Sequence, residues 1–151
     1  MEKKFVNKKG GCICGAIRFN VTLDELPRVF SCHCVDCRKK IGGMMSIIEL
    51  RDNAIDLDKA LLSTFEHTGG SGNKITKYFC GKCAAPVLTF VQRWNKYYLY
   101  AGLLDDISIL KKSKNVCMGM LFSYEITKID QALKESSTPV SYTHLTLPTK
   151  A

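Results

Sequence analysis

The sequence lacks the features that mark a membrane-spanning or secreted protein. It contains no run of about eighteen apolar residues, so no transmembrane helix is predicted. Residues 1–9 carry four lysines and no apolar stretch, so they do not resemble a secretory signal. We therefore expect a cytoplasmic protein without membrane contact, in a compartment that keeps thiols reduced.

The sequence also gives little support for nucleic-acid binding. The formal net charge is +8, but the lysines are dispersed along the chain. There is no arginine-rich stripe and no aromatic motif of the kind found in RNA-binding sheets. A dispersed basic surface is usually a solvated one, and it would also attract a small anionic substrate. The expected partner is therefore a small molecule.

No internal repeat is visible, and 151 residues suit one domain with one core. We assign residues 1–139 to that domain. Residues 140–151 look foreign, because residues 140–149 can be encoded by a DNA string that resembles the mosaic end of a transposase-type sequencing adapter. We expect this tail to be non-native, and no function is inferred from its Tyr142 or His144.

Hydrophobic patterns predict a mainly β fold with little helix. Residues 16–21 alternate like a half-buried strand, and the apolar run 44–50 is typical of a buried one. Strands on either side of the glycine-rich segment 69–73 predict a hairpin. The remaining predicted elements are the hairpin strands 63–68 and 74–79, the strand pair 87–91 and 97–101, a helical turn at 37–41 and a short helix at 128–135.

Cysteine is the abundant residue that needs a chemical explanation. Seven of the eight cysteines fall into three groups: Cys12 and Cys14; Cys32, Cys34 and Cys37; Cys80 and Cys83. In a reducing compartment such spacing favours metal ligands over disulfides, and a redox-active thiol set is the alternative. The C-x-x-C pair has the spacing of a zinc knuckle. Gly11 and Gly15 would allow the C-x-C pair to curl onto one metal.

Counting ligands predicts two zinc ions per chain. Four thiolates make a closed structural site, whereas three thiolates leave the open position of a catalytic site. The predicted structural ligands are Cys12, Cys14, Cys80 and Cys83, and the predicted catalytic set is Cys32, Cys34 and Cys37. Cys117 is flanked by apolar residues and is expected in the core. If it were instead a fourth ligand, the second site would be closed as well.

Four segments resemble the glutathione-dependent formaldehyde-activating enzyme family, which includes centromere protein V. They are residues 11–19 (GCICGAIRF), 31–39 (SCHCVDCRK), 78–83 (YFCGKC) and 101–106 (AGLLDD). The resemblance covers about residues 8–110. It implies an Mss4-like β-tent fold, and it implies the same division of the seven cysteines into a structural and a catalytic zinc site.

The resemblance also implies an activity, that of a carbon–sulfur lyase condensing formaldehyde with glutathione to S-hydroxymethylglutathione. Zinc would hold the glutathione sulfur as a thiolate, which attacks the formaldehyde carbon. Three cysteine thiolates give the zinc centre a net charge of −1, which favours thiol exchange over water activation. The alternative is a non-catalytic zinc module that binds protein or nucleic acid.

One position departs from the family pattern. The family usually has glycine and then serine or threonine after the last knuckle cysteine, whereas this chain has Ala84 and Ala85. If the first position needs a positive φ, alanine costs about 1 kcal/mol relative to glycine. We expect the site to survive this cost.

Several other polar and aromatic residues have two interpretations. His33 is expected to make local hydrogen bonds rather than to bind metal. Asp36 and Arg38 are expected either to hydrogen-bond the ligand sulfurs or to form a surface ion pair. The aromatic residues of the second strand pair either line a cleft or pack in the core; they are Trp94, Tyr97, Tyr98 and Tyr100.

Overall fold

The computed structural model describes residues 4–110 and the backbone of residues 114–116. The chain divides into two units, residues 1–120 and residues 121–151, and every described residue belongs to the first. Cys117, the predicted helix at 128–135 and the tail 140–151 therefore lie outside the described residues. No helix in the described ranges is long and apolar enough to cross a membrane.

The described chain is mainly β, which confirms the predicted fold class. Its strands are β1 (Phe5–Gly11), β2 (Arg18–Asp24), β3 (Val29–Cys32), β4 (Met45–Glu49), β5 (Ile55–Asp56), β6 (Leu62–Thr68), β7 (Lys74–Cys80), β8 (Pro86–Val91), β9 (Lys96–Tyr100) and β10 (Lys114–Val116). The helix α1 spans Val35–Ile41, and three short 3-10 helices span Lys59–Leu61, Gln92–Trp94 and Ala101–Leu103.

The strands form two sheets. The smaller sheet has the order β1-β2-β5, and the larger has the order β10-β3-β4-β9-β8-β7-β6. Neighbouring strands are antiparallel apart from β10, which runs parallel to β3 and sets Val116 beside Cys32. The predicted glycine-tipped hairpin is confirmed, since β6 and β7 pair from Leu62 opposite Cys80 to Thr68 opposite Lys74.

The central strands β4 and β9 of the larger sheet are buried on both faces, which explains the apolar run at residues 44–50. Successive side chains of a strand point to opposite faces. Ile48 of β4 and Leu99 of β9 pack in the main core, with the apolar residues of β2. Met45 and Tyr100 pack in a second cluster, which also contains Cys37 of α1. A strand buried on both faces needs apolar residues at nearly every position.

Two predicted boundaries were wrong for identifiable reasons. The strand predicted at 16–21 begins at Arg18, because the preceding residues form a turn in which the Cys12 N–H donates to the Ile17 carbonyl. The helix begins at Val35 rather than at Cys37, because Cys34 caps its N-terminus. Strands β1, β3, β5 and β10 were not predicted, since β1 is largely polar and the others are short.

Ala84 occupies the left-handed region, with φ of 58°. Its N–H donates to the Cys80 carbonyl at 2.9 Å, and the Cys80 N–H donates to the Ala85 carbonyl at 2.9 Å. These two hydrogen bonds close the tight turn after β7 and hold the backbone in a conformation that costs alanine about 1 kcal/mol. The sequence-based expectation of a strained alanine is thus confirmed.

We predict that Ala84→Gly raises the free energy of unfolding by about 1 kcal/mol, because glycine adopts a positive φ without steric cost. Urea denaturation of both proteins measures the difference. Ala85→Gly is the matched control. Ala85 is not in the left-handed region, so the control should lose stability. Equal losses in both variants would contradict a strained turn at Ala84.

Candidate metal centres

The first centre is built from two loops that leave different sheets. Cys12 and Cys14 lie in the turn between β1 and β2, while Cys80 ends β7 and Cys83 lies in the turn that follows. The turn at Cys12 is closed by the Gly15 N–H, which donates to the Cys12 carbonyl at 3.0 Å. Each loop thus supplies two cysteines that are close in sequence, and the two pairs meet although Cys14 and Cys80 are 66 positions apart.

Glycines permit the first of these turns in two different ways. Gly15 has φ of 75°, which glycine adopts without strain. Gly11 is needed for space, because a Cβ atom there would lie 2.4 Å from the Ile17 carbonyl oxygen. The C-x-C pair therefore curls through Gly15, and Gly11 allows the incoming and outgoing strands to approach each other.

The sulfurs of the first centre are spaced as metal ligands are. All four Sγ atoms lie within 4.8 Å of one another. The Cys12 and Cys14 Sγ atoms are 3.4 Å apart, and those of Cys14 and Cys80 are 3.7 Å apart. A tetrahedron with Zn–S bonds of about 2.3 Å has sulfurs about 3.8 Å apart. The donor set fits a tetrahedral dication.

The pKa values of the cysteines in the first centre also support a bound cation. Burial raises the pKa of Cys12, but the Ile17 N–H and the neighbouring thiols outweigh it and bring the pKa to about 6. The Ala16 N–H lowers the pKa of Cys14, but the thiols of Cys12 and Cys83 outweigh it and raise the pKa to about 11. When one thiol of the cluster ionises, its negative charge makes ionisation of the neighbouring thiols less favourable. A bound dication would offset this effect.

The second centre lies where β3 passes into α1. Cys32 ends β3, Cys34 is the N-cap of α1, and Cys37 lies in its first turn. The Cys34 Sγ accepts the Cys37 N–H at 3.4 Å, as a capping side chain does. The three Sγ atoms lie within 4.8 Å of one another. The C-x-C-x-x-C spacing therefore becomes a cluster through one strand end and one helix cap.

Within the described ranges, no fourth His, Cys, Asp or Glu joins the second centre. His33 lies between Cys32 and Cys34 in the sequence, and its side chain is 3% exposed. It is nevertheless outside the ligand group. A hydrogen bond with Cys32, and then burial, raise the pKa of Cys37 well above its ordinary value. Three facing thiols resist ionising together in the absence of a cation.

The second cluster of the core forms the floor of this centre. Cys37 is buried with Met45, Ile47, Tyr98 and Tyr100, and Cys32 and Cys34 pack against the same group. Two of the four aromatic residues singled out in the sequence therefore border the three cysteines and also pack the sheet. Tyr97 instead packs against the main core, and Trp94 is 58% exposed, with its ring edge toward Tyr98.

Asp36 does neither of the two things expected of it among the described contacts. Its Oδ2 accepts the backbone N–H of Gly70 at 3.2 Å. Gly70 lies at the tip of the hairpin formed by β6 and β7. The glycine-rich tip is therefore tied to the helix that contains Cys37 and is capped by Cys34. This contact spans 34 positions of sequence, so no local pattern indicates it.

Sequence reasoning missed a buried polar row beneath the second centre. Lys77 of β7 is paired with Thr89 of β8, and Thr89 with Tyr98 of β9. The Lys77 Nζ donates to the Thr89 Oγ1 at 3.3 Å, and the hydroxyls of Thr89 and Tyr100 are 3.4 Å apart. Lysine and threonine interrupting apolar strands were the available signal, but only the strand register places them together.

Three comparisons place this chain among known proteins. The family model described as "Glutathione-dependent formaldehyde-activating enzyme" matches residues 7–119. A protein of Halomonas elongata, named "Putative glutathione-dependent formaldehyde-activating enzyme", is 32% identical over 106 residues. That match covers 65% of this chain and 66% of the relative, so the chain spans just under two thirds of that relative's length.

A crystal structure of a Rhodobacter sphaeroides protein is similar in fold, with a TM-score of 0.53 and 19% sequence identity. The similarity covers 72% of this chain and 99% of that protein. The family match includes all seven clustered cysteines, and the mainly β architecture agrees with the Mss4-like fold of the family. The chain belongs to the glutathione-dependent formaldehyde-activating enzyme family.

Proposed function

We propose that the chain binds two zinc ions and acts as a carbon–sulfur lyase on a thiol adduct, with glutathione and formaldehyde as its substrates. The observation that carries the proposal is the contrast between the two centres. One has four cysteines, and the other has three with no fourth candidate ligand in the described ranges. Family membership supports the named substrates, and the thiolate-rich donor sets support zinc.

The residues of the second centre suit a thiol substrate. Bound zinc supplies a positive charge that favours the thiolate form of a thiol at neutral pH. The zinc ion would be held by Cys32, Cys34 and Cys37, and its fourth coordination position would stay open for the substrate. Tyr98 and Tyr100 give that region a largely apolar floor, which strengthens electrostatic interactions by excluding water. A cytoplasmic location is part of the proposal, since it would keep the thiols reduced.

One observation favours a second candidate, the non-catalytic zinc module. Val116 of β10 is paired with Cys32 of β3, and Cys117 is the next residue in the chain. Cys117 is the one cysteine outside the three groups, so it is the remaining cysteine that could supply a fourth ligand. If its sulfur completed the site, the centre would be closed and structural.

We expect Cys117→Ser to retain two zinc ions per chain and full affinity at the second centre, because three cysteines suffice for an open site. Elemental analysis and competition with a chromogenic chelator measure stoichiometry and affinity. Cys32→Ser is the positive control and should lose one zinc. Loss of one zinc in both variants would favour the closed, non-catalytic module.

We expect the two centres to contribute differently to stability. Cys80→Ser should lose the first zinc and several kcal/mol of folding free energy, because that centre joins loops of two sheets. Cys34→Ser removes a ligand of the second centre but keeps a good N-cap residue for α1. It should lose one zinc with a smaller change in thermal midpoint, followed by circular dichroism. Equal destabilisation would contradict the division into structural and open centres.

The proposed reaction is tested by exchange spectroscopy at equilibrium. Zinc-loaded protein should accelerate exchange between formaldehyde, glutathione and S-hydroxymethylglutathione, as measured by NMR, and Cys34→Ser should reduce the acceleration at least about a hundredfold, as loss of a positioned group in a catalytic site does. Lys74→Met, at an exposed residue paired with Glu66, serves as the folded control. Fully loaded wild-type protein that leaves the spontaneous rate unchanged would remove the named activity.

A further inference from the structure

Among the described residues, Lys77 is the one lysine, arginine, aspartate or glutamate that is buried. It is 4% exposed, on a central position of β7. Burying an ammonium group is costly unless an opposite charge or a full set of acceptors compensates for it. The position of Lys77 therefore needs an explanation that its strand does not provide.

The hydrogen-bond partners of Lys77 are neutral. Its Nζ donates to the Thr89 Oγ1 at 3.3 Å and lies 4.0 Å from the Met45 Sδ. Thr89 is itself shared with the Tyr100 hydroxyl. A hydroxyl and a thioether orient the ammonium group but do not balance its charge.

The opposite charges that act on Lys77 come from the three-cysteine centre. Met45 links the two structurally, because its backbone is paired with Cys32 and its side chain packs with Cys37. Burial lowers the pKa of Lys77, whereas the thiolates of Cys37, Cys34 and Cys32 act in the opposite direction and favour the cation. The ammonium group thus lies beside Met45, which itself packs against Cys37 of the second centre.

The charge of that centre leaves a role for a nearby cation. Three thiolates and one Zn²⁺ carry a net charge of −1, and an anionic thiol substrate would raise it to −2 in a partly buried region. Two like charges in such surroundings repel strongly, since the effective dielectric constant is well below that of water. A neutral ligand would meet no such penalty.

We infer that Lys77 is a positioning residue that selects an anionic ligand, a substrate thiolate, at the open side of the three-cysteine centre. The inference rests on the proposed function, because it assumes a metal at that centre. The buried ammonium offsets the negative charge that the thiolate adds. Thr89, supported by the Tyr100 hydroxyl, fixes the direction in which Lys77 points.

The test compares a charged and a neutral ligand on cobalt-substituted protein. Cobalt absorption bands respond to a new ligand at the open centre, whereas the four-cysteine centre has no free position. The probes are the thiolate of 2-mercaptoethanol and imidazole. The variants are Lys77→Met, which keeps the length of the side chain, Lys77→Arg, which keeps its charge, and Lys74→Met. Lys74 is on the same strand but exposed, paired with Glu66, and serves as the control.

We expect Lys77→Met to weaken thiolate binding by at least about tenfold, equivalent to about 1.4 kcal/mol, and to leave imidazole binding unchanged. Lys77→Arg should retain most of the thiolate affinity, and Lys74→Met should match the wild type. Cobalt content and thermal midpoint verify that each variant is loaded and folded.

Equal thiolate affinity in Lys77→Met and wild type would overturn the inference, as would an equal loss for both probes. The titration contains no formaldehyde, so it is independent of turnover. A charge-selective effect of Lys77 in a protein that does not accelerate the glutathione reaction would remove the named reaction and leave this inference standing. Acceleration of the glutathione reaction without charge selectivity at Lys77 would overturn this inference and leave the proposed reaction standing.

Discussion

The convergence of four thiols from two loops is the constraint on which the rest of the arrangement depends. Cys12 and Cys14 are held by a turn between strands of the smaller sheet, and Cys80 and Cys83 by a turn at the end of β7 in the larger sheet. Cys12 and Cys80 are also buried in the main core. Bringing these loops together fixes the end of β7 and with it the register of the strand that carries Lys77. The strained φ of Ala84 shows that the turn is held by its hydrogen bonds in spite of its residue type.

The same type of side chain forms two clusters with different surroundings in this protein. In the first centre, the turns around Gly15 and Ala84 supply two sulfurs each, so the chain alone offers the four ligands of a tetrahedral site. In the second, a strand end and a helix cap supply three sulfurs beside aromatic side chains and a buried ammonium. The difference lies in the surroundings rather than in the cysteines. Under the proposed function, a closed set of thiolates would stabilise the fold, whereas an open set beside a positive charge would accept a thiolate from outside.

The fold could be predicted where its signal was local. The hairpin of β6 and β7 follows from a glycine-rich tip between two β-type segments, and the buried β4 from its apolar run. The polar strand β1 and the short β3 have no such signal, because pairing with distant strands stabilises them. The contact between Asp36 and Gly70 likewise joins segments that the sequence gives no reason to associate.

The sequence by itself determined the local grouping of the cysteines and the metal-binding chemistry that they offer, because C-x-C and C-x-x-C spacings act within single turns. Ligand counting then predicted the division into four and three. The sequence also indicated the mainly β class and the strain at Ala84. Only the tertiary structure decided that the sulfurs of two distant loops meet, that His33 stays out of the ligand group, and that Lys77, Thr89 and Tyr100 lie together beneath the second centre. The physical reason is strand register. Pairing and burial across the whole sheet set this register. A shift of β7 by one residue relative to its neighbours would turn Lys77 to the opposite face of the sheet.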